Sequence, residues 1–179
     1  MPAVVSFELA NGKEVNRLLG AIVDRVRKPK PVYEWIADNV LMPALAGQFK
    51  TEGARGGQPW QKYTNAERQS GYVGYKKAKT GQEGPLLDWK GRGRRLVPSF
   101  TSKAHPEHIH QVSNRGVVVG SRTPWAINNH KGQGLGWRGQ YTVPRRPIAV
   151  LTTRIDIAAI VEAFEEYVAL GKIKRGPVT

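Results

Sequence analysis

The chain has 179 residues, a net charge of +14 and no cysteine. That length supports one domain, 1–179, with a buried core. The missing cysteine excludes both a disulfide framework and a thiolate metal site. No segment reaches the ~20 consecutive apolar residues of a membrane helix. Met1–Ala10 alternates instead of forming the apolar run of a signal peptide, so a soluble protein without a membrane partner is expected. The charge is unevenly placed: residues 48–148 carry a net +13 and the remainder +1. A basic, glycine-rich middle between near-neutral flanks implies either a polyanion or an acidic protein face as partner.

In chain order, residues 4–9 read as a short strand with Val5, Phe7 and Leu9 on one face. Asn11 and Glu14 resemble a capping box. Val15, Leu18, Leu19, Ile22, Val23 and Val26 then recur at helical spacing to about Arg27. A second helix is expected from Pro31 or Val32 towards Phe49, with a kink or break near Asn39 because Pro43 sits inside the pattern. Periodicity disappears after Lys50, and residues 50–105 read as an extended basic loop region. Within it, Thr64 caps a possible short helix, and residues 61–84 read as a long, partly ordered loop of a composition that suggests ordering on assembly. Residues 90–95 are the densest positive run.

Residues 106–152 carry the sheet and a Gly-rich loop. His108 to Val112 and Gly116 to Gly120 read as an antiparallel pair turned at residues 113–116, and 146–151 as a further strand. Between them Thr123 is forced extended by Pro124, which opens a short helical turn through Trp125, Ala126 and Ile127. Three glycines among residues 133–140 predict a mobile loop. Thr153 or Asp156 opens a last helix over 153–171, stopped by Gly171, with Asp156, Glu162, Glu165 and Glu166 as the one acidic surface. The expected class is α+β: a small antiparallel sheet flanked by N-terminal and C-terminal helices, with long basic Gly-rich loops.

Candidate chemistry is sparse. His108 and His110 point to one face of a strand, and with His130 they could hold zinc, as in a histidine-centred nuclease. Yet no acidic pair is placed for magnesium and no ligand spacing is diagnostic. No serine lies in a nucleophile elbow, and the glycines at 132, 134 and 136 lack the strand and helix of a phosphate loop. No cofactor and no catalytic constellation are expected. Basic residues interleaved with Tyr63, Tyr72, Tyr75 and Trp89 suit contact with a nucleic-acid backbone. Trp60, Trp89, Trp125 and Trp137 stand beside Gly or Pro turns, where aromatics anchor loops or fill interfaces.

Three separated blocks carry a resemblance. The first is Phe49, Glu52, Gly53, Gly56, Pro59 and Trp60, following two helices. The second is Leu86-Leu87-Asp88. The third is Val119-Gly120-Ser121, Pro124-Trp125-Ala126, His130, Gly132 and Pro144-Arg145-Arg146-Pro147. In this order they resemble the phage virion morphogenesis family, the tail-completion and head–tail neck proteins. Trp89-Lys90-Gly91 stands where the family has a Thr-Gly, Trp125 replaces a tyrosine, and Ile148 replaces a favoured phenylalanine.

The resemblance implies a non-catalytic virion subunit that forms a sixfold homo-oligomeric ring at the head–tail junction, assembled in the host cytoplasm. Its partners would be other neck, connector and tail proteins, with double-stranded DNA in the lumen. On that reading Trp60, Trp89, Trp125, Trp137, Arg145 and Arg146 are loop anchors or interface residues. Lys76, Lys77, Lys79, Arg92, Arg94 and Arg95 would touch DNA phosphates without reading sequence. The competing readings are a ribosome-associated type of nucleic-acid-binding protein and, behind it, the histidine nuclease.

Overall fold

A computed structural model describes residues 12–64, 96–132, 134–135, 141–142 and 144–176. The strand expected at 4–9, the Asn11 cap, the short helix beginning at Thr64 and nearly all of loop 61–84 therefore lie outside the described residues. The fold is α+β, with a small antiparallel sheet and helices on its N- and C-terminal sides. Among the described residues no helix is long and apolar enough to cross a membrane.

The first helix, α1, spans Gly12–Arg27. Next comes a helical rod in three parts: α2 (Lys30–Ile36), a π-helical turn (Ala37–Leu41) and α3 (Met42–Lys50). Pro31 sits in the first turn of α2, where its fixed φ suits a helix start. The break expected near Asn39 is instead this π turn. The Met42 N–H donates to the Ala37 carbonyl, five residues back. The widened turn makes room for the Pro43 ring, which an α-helix would drive into the Asn39 carbonyl. Asn39 Nδ2 donates to the Trp35 carbonyl at 3.0 Å, closing the same turn from the side chain.

Among the described residues three further α-helices follow: α4 (Leu96–Thr101), α5 (Pro124–Lys131) and α6 (Ala158–Leu170). Helix α4 lies within the stretch read as an extended loop, hidden there by Pro98 and by its short length. Strands β1 (His108–Ser113) and β2 (Gly116–Ser121) form the hairpin, with His108 opposite Ser121 and Ser113 opposite Gly116. Two-residue strands β3 (Gly134–Leu135) and β4 (Tyr141–Thr142) make a second, separate ladder. A further π turn, Thr153–Ile157, leads into α6, and Gly171 ends it in the left-handed conformation at φ 73°.

The rod serves two cores. Val32, Ile36 and Val40 pack with Ala159, Ala163 and Tyr167 of α6. Leu45 and Phe49 pack with Trp60, Tyr63, Leu96, Phe100, Ala126 and Ile148. The hairpin bridges them, since Val117 packs on the first core and Val119 on the second, while Val118 between them is exposed. Alternation along β2 thus distributes its valines as strand geometry requires. Small residues on α6 let it approach α2 closely, and the Tyr167 hydroxyl donates to the Lys28 carbonyl at 3.0 Å. Ala163 is fully buried there, so Ala163→Leu overfills the contact. It should destabilise the fold by about 1–3 kcal/mol, read as a lower urea midpoint at unchanged slope.

Candidate functional site

The loops of the basic middle are tied down by one short arm, residues 144–150. Its centre is the Pro147 carbonyl, which accepts from Gln48 Nε2 at 2.9 Å and from Trp60 Nε1 at 3.0 Å. On either side, the Arg146 N–H donates to the Asn129 carbonyl at 2.7 Å and the Ile148 N–H to His130 Nδ1 at 3.1 Å. The strand expected over 146–151 is therefore absent. Its backbone donors are taken by the end of α5, and Pro147 has none to offer a ladder.

Two glycines make these approaches possible. Gly53 has φ +93°, and a Cβ there would lie 2.3 Å from Trp60 Cδ1. Gly132 has φ +73°, and a Cβ there would lie 2.9 Å from the Arg145 nitrogen. Only glycine fits either place. Glu52, with φ 46°, starts the turn after α3, and its carbonyl accepts from the Trp60 N–H at 2.6 Å.

The first and third blocks of the resemblance thus meet in space. Phe49 stands edge-on to Trp60 with ring centroids 5.6 Å apart, and Phe100 lies 5.7 Å from Phe49. Ala126 and Ile148 complete the cluster, with Val119 packed against it. The second block, Leu86-Leu87-Asp88, lies outside the described residues, as do Trp89, Trp137, Lys76, Lys77, Lys79, Arg92, Arg94 and Arg95. Trp125 occupies the second position of α5, next to Pro124.

The two arm arginines differ completely. Arg146 is fully buried: Nε donates to the Gln61 carbonyl at 3.0 Å, Nη2 to the Lys62 carbonyl at 3.4 Å, and the guanidinium lies 5.3 Å from the centre of the Tyr63 ring. It anchors the start of the long loop inside the fold. Arg145 is exposed, as are Lys131 and Arg122. His130 senses this positive field. Burial pushes its pKa below the ordinary value, and Arg145 and Lys131 add to the effect. A neutral ring suits its task, because Nδ1 must be bare to accept from Ile148.

A second anchor was not visible in the sequence. Arg55 grips Asp156 bidentately, Nη1 to Oδ2 at 2.9 Å and Nη2 to Oδ1 at 2.5 Å. Asp156 also accepts from the Thr152 N–H at 2.6 Å and the Thr152 hydroxyl at 3.0 Å. Burial alone would raise this carboxyl, but the Arg55 and Thr152 bonds outweigh it and hold the pKa below the usual range. Asp156 is thus fully buried and does not belong to the acidic surface expected of the last helix. Glu162 and Glu166 are engaged by Arg175. Arg55 and Asp156 stand 101 positions apart, so no local spacing could reveal the pair.

The histidines are held separately. His108 Nδ1 lies 2.9 Å from the Ser99 carbonyl, and His110 Nε2 lies 3.2 Å from Asp38 Oδ1, a carboxylate also held by Lys103. His105 Nδ1 accepts from the Glu107 N–H at 3.2 Å. Among the described residues no three His, Asp or Glu side chains come together as a metal site. Ser99, Ser121 and Thr123 link their hydroxyls, and Ser99 Oγ donates onward to the Leu96 carbonyl. Their geometry ties α4 to the hairpin. It offers structural bonds and no nucleophile–base pair.

Asp156→Ala strands a largely buried guanidinium and should cost about 3 kcal/mol, visible in urea titration. Gly132→Ala should cost at least about 1 kcal/mol by the same measurement, since both its φ and the Arg145 backbone oppose a side chain. His130 binds its proton more weakly folded than unfolded, so its contribution to stability is full above about pH 6.5 and is lost as pH falls below that value. His130→Asn keeps an acceptor without the titration. It should flatten the pH dependence of the thermal midpoint between about pH 7 and pH 5.

No protein-family model matches the chain, and neither a curated protein nor a solved structure matches it.

Proposed function

We propose that this chain is a structural subunit of a bacteriophage virion, forming a ring at the head–tail neck or tail-completion point through which double-stranded DNA passes. The observation that carries this reading is the convergence of the first and third blocks bearing the family resemblance. Phe49, Gly53 and Trp60 interlock with His130, Gly132, Pro147 and Ile148 in one anchored unit. Residues that share a resemblance and also hold one another are a fold signature, and a signature made of loop anchors suits a protein whose work is assembly. The role is structural, without catalysis or cofactor. Its place is the virion, after assembly in the host cytoplasm.

The charge supports the same reading. Exposed Lys131 and Arg145 lie near His130 at the anchored arm, available to phosphates in a lumen or to acidic faces of neighbouring neck proteins. Light scattering and negative-stain imaging of the purified protein, followed by sedimentation with assembled heads or tails, test the proposal. Closed rings, or a subunit that joins heads or tails, are expected, with little sensitivity to salt. A monomer that ignores both and binds RNA or DNA with steep salt dependence would establish the nucleic-acid-binding reading instead.

A further inference from the structure

Among the described residues the hairpin of β1 and β2 is a sheet of two strands, so each strand has one side without a neighbour. Bonded and unbonded pairs alternate along an antiparallel ladder. The Arg122 N–H donates to the Glu107 carbonyl at 2.8 Å, and the register carries the same bonding to 109 with 120, 111 with 118 and 113 with 116. His108, His110 and Val112 of β1, and Val117, Val119 and Ser121 of β2, therefore turn their backbone N–H and carbonyl groups sideways, out of the hairpin. The His108 N–H donates to the His105 carbonyl at 2.9 Å. No other group in these two rows has a partner among the described residues.

Strand edges of natural proteins are guarded by lysine, proline or a bulge. Neither strand here contains Lys, Arg, Asp, Glu or Pro, and the six pairs from 108 with 121 to 113 with 116 run without a bulge. The two histidines of β1 turn inward, to Ser99 and Asp38. On the outer face Val118, 54% exposed, stands opposite exposed Gln111. Both edges are thus flat, uncharged and ready to pair.

We propose that β2 of one copy of this chain pairs with β1 of the next, antiparallel and at the same height, so that hairpins join into one continuous sheet. The two rows match. Val117 faces Val112 of the next copy and Val119 faces its His110, each with both bonds, and the Ser121 N–H meets the His108 carbonyl. That makes about five backbone hydrogen bonds. A row of alternating donors and acceptors is answered by an extended backbone, and a second copy carries the complementary row. Approach of two chains of net charge +14 is least opposed where neither strand is charged. Unlike edges on one hairpin give a head-to-tail contact, which repeats from copy to copy. The pairing rests on the strands themselves, and its closure into a ring rests on the reading above.

The chain contains no cysteine, so Gln111→Cys and Val118→Cys variants each place a single thiol on the outer face. In the joined sheet the two stand directly opposite across the contact, with Cα atoms about 4.5 Å apart, within disulfide reach. Mixed and oxidised, the full-length variants should give disulfide-linked dimers, while neither alone gives any. Val112→Pro removes one sideways N–H and leaves the hairpin's own ladder intact. It should weaken self-association at least about tenfold, with the circular dichroism unchanged. Should that variant misfold, the mixed disulfide decides. Linking of Val118→Cys to itself would mean that β2 pairs with β2 and would overturn the proposal. So would a missing mixed disulfide, undiminished association of folded Val112→Pro, or a monomer at the highest soluble concentration. Closed rings without the mixed disulfide would overturn this contact and leave the ring reading standing. The mixed disulfide in open chains that never close would support the contact and overturn the ring.

Discussion

One backbone oxygen governs how the basic middle of this protein is arranged. The Pro147 carbonyl receives a side-chain amide from α3 and the indole of Trp60, so it fixes the rod, the turn after it and the arm at a single point. Both donors are buried, and a buried donor left without an acceptor loses its water without compensation. Moving the arm would strand both donors together, which makes the position of 144–150 cooperative with the packing of Phe49 and Trp60. The proline contributes a carbonyl while demanding no partner for a backbone N–H, a useful economy in a crowded place.

Around this point the chain separates order from charge. Arg146 is taken inside to hold the Gln61 and Lys62 carbonyls, while Arg145, one residue earlier, faces out. Neighbouring residues of an extended arm point to opposite sides, so one pair of arginines both closes the fold and charges its surface. The Arg55–Asp156 pair does comparable work at the entry to α6, where a buried carboxylate caps Thr152 and fixes the turn after α3. The two anchors sit on either side of residues 150–152 and keep that segment from drifting.

Much of the fold was legible because helical and strand periods are local. The period of α1, the valine alternation of β2 with its two-residue turn, the proline that opens α5 and the glycine that closes α6 all act within a few residues. Failures came where distant partners decide. The apolar run Ile148-Ala149-Val150-Leu151 has strand composition, yet Asn129 and His130 claim its neighbouring donors. Asp156 looks like a surface acid until Arg55 arrives from far away in the chain. Helix α4 is too short and too interrupted by Pro98 to show a period. In α1 the pattern announced a helix correctly but could not say which surface covers its stripe. Of the site, Trp60 and Gly132 were legible as landmarks, whereas the hydrogen bonds that make them one unit were not.

The π turn at Ala37–Leu41 has a consequence for how the rod can change. An α-helix turns 100° per residue, and a turn widened by one residue advances the chain with almost no added rotation. The faces on either side therefore stand about 100° from where an unbroken α-helix of the same length would put them, with Val32 and Ile36 towards α6 and Leu45 and Phe49 towards Trp60. Regularising this turn with every residue kept would swing one face away from its core, whereas deletion of one residue within it would straighten the turn and leave both faces in place. The angle between the two cores is thus set by one residue that adds length without adding rotation.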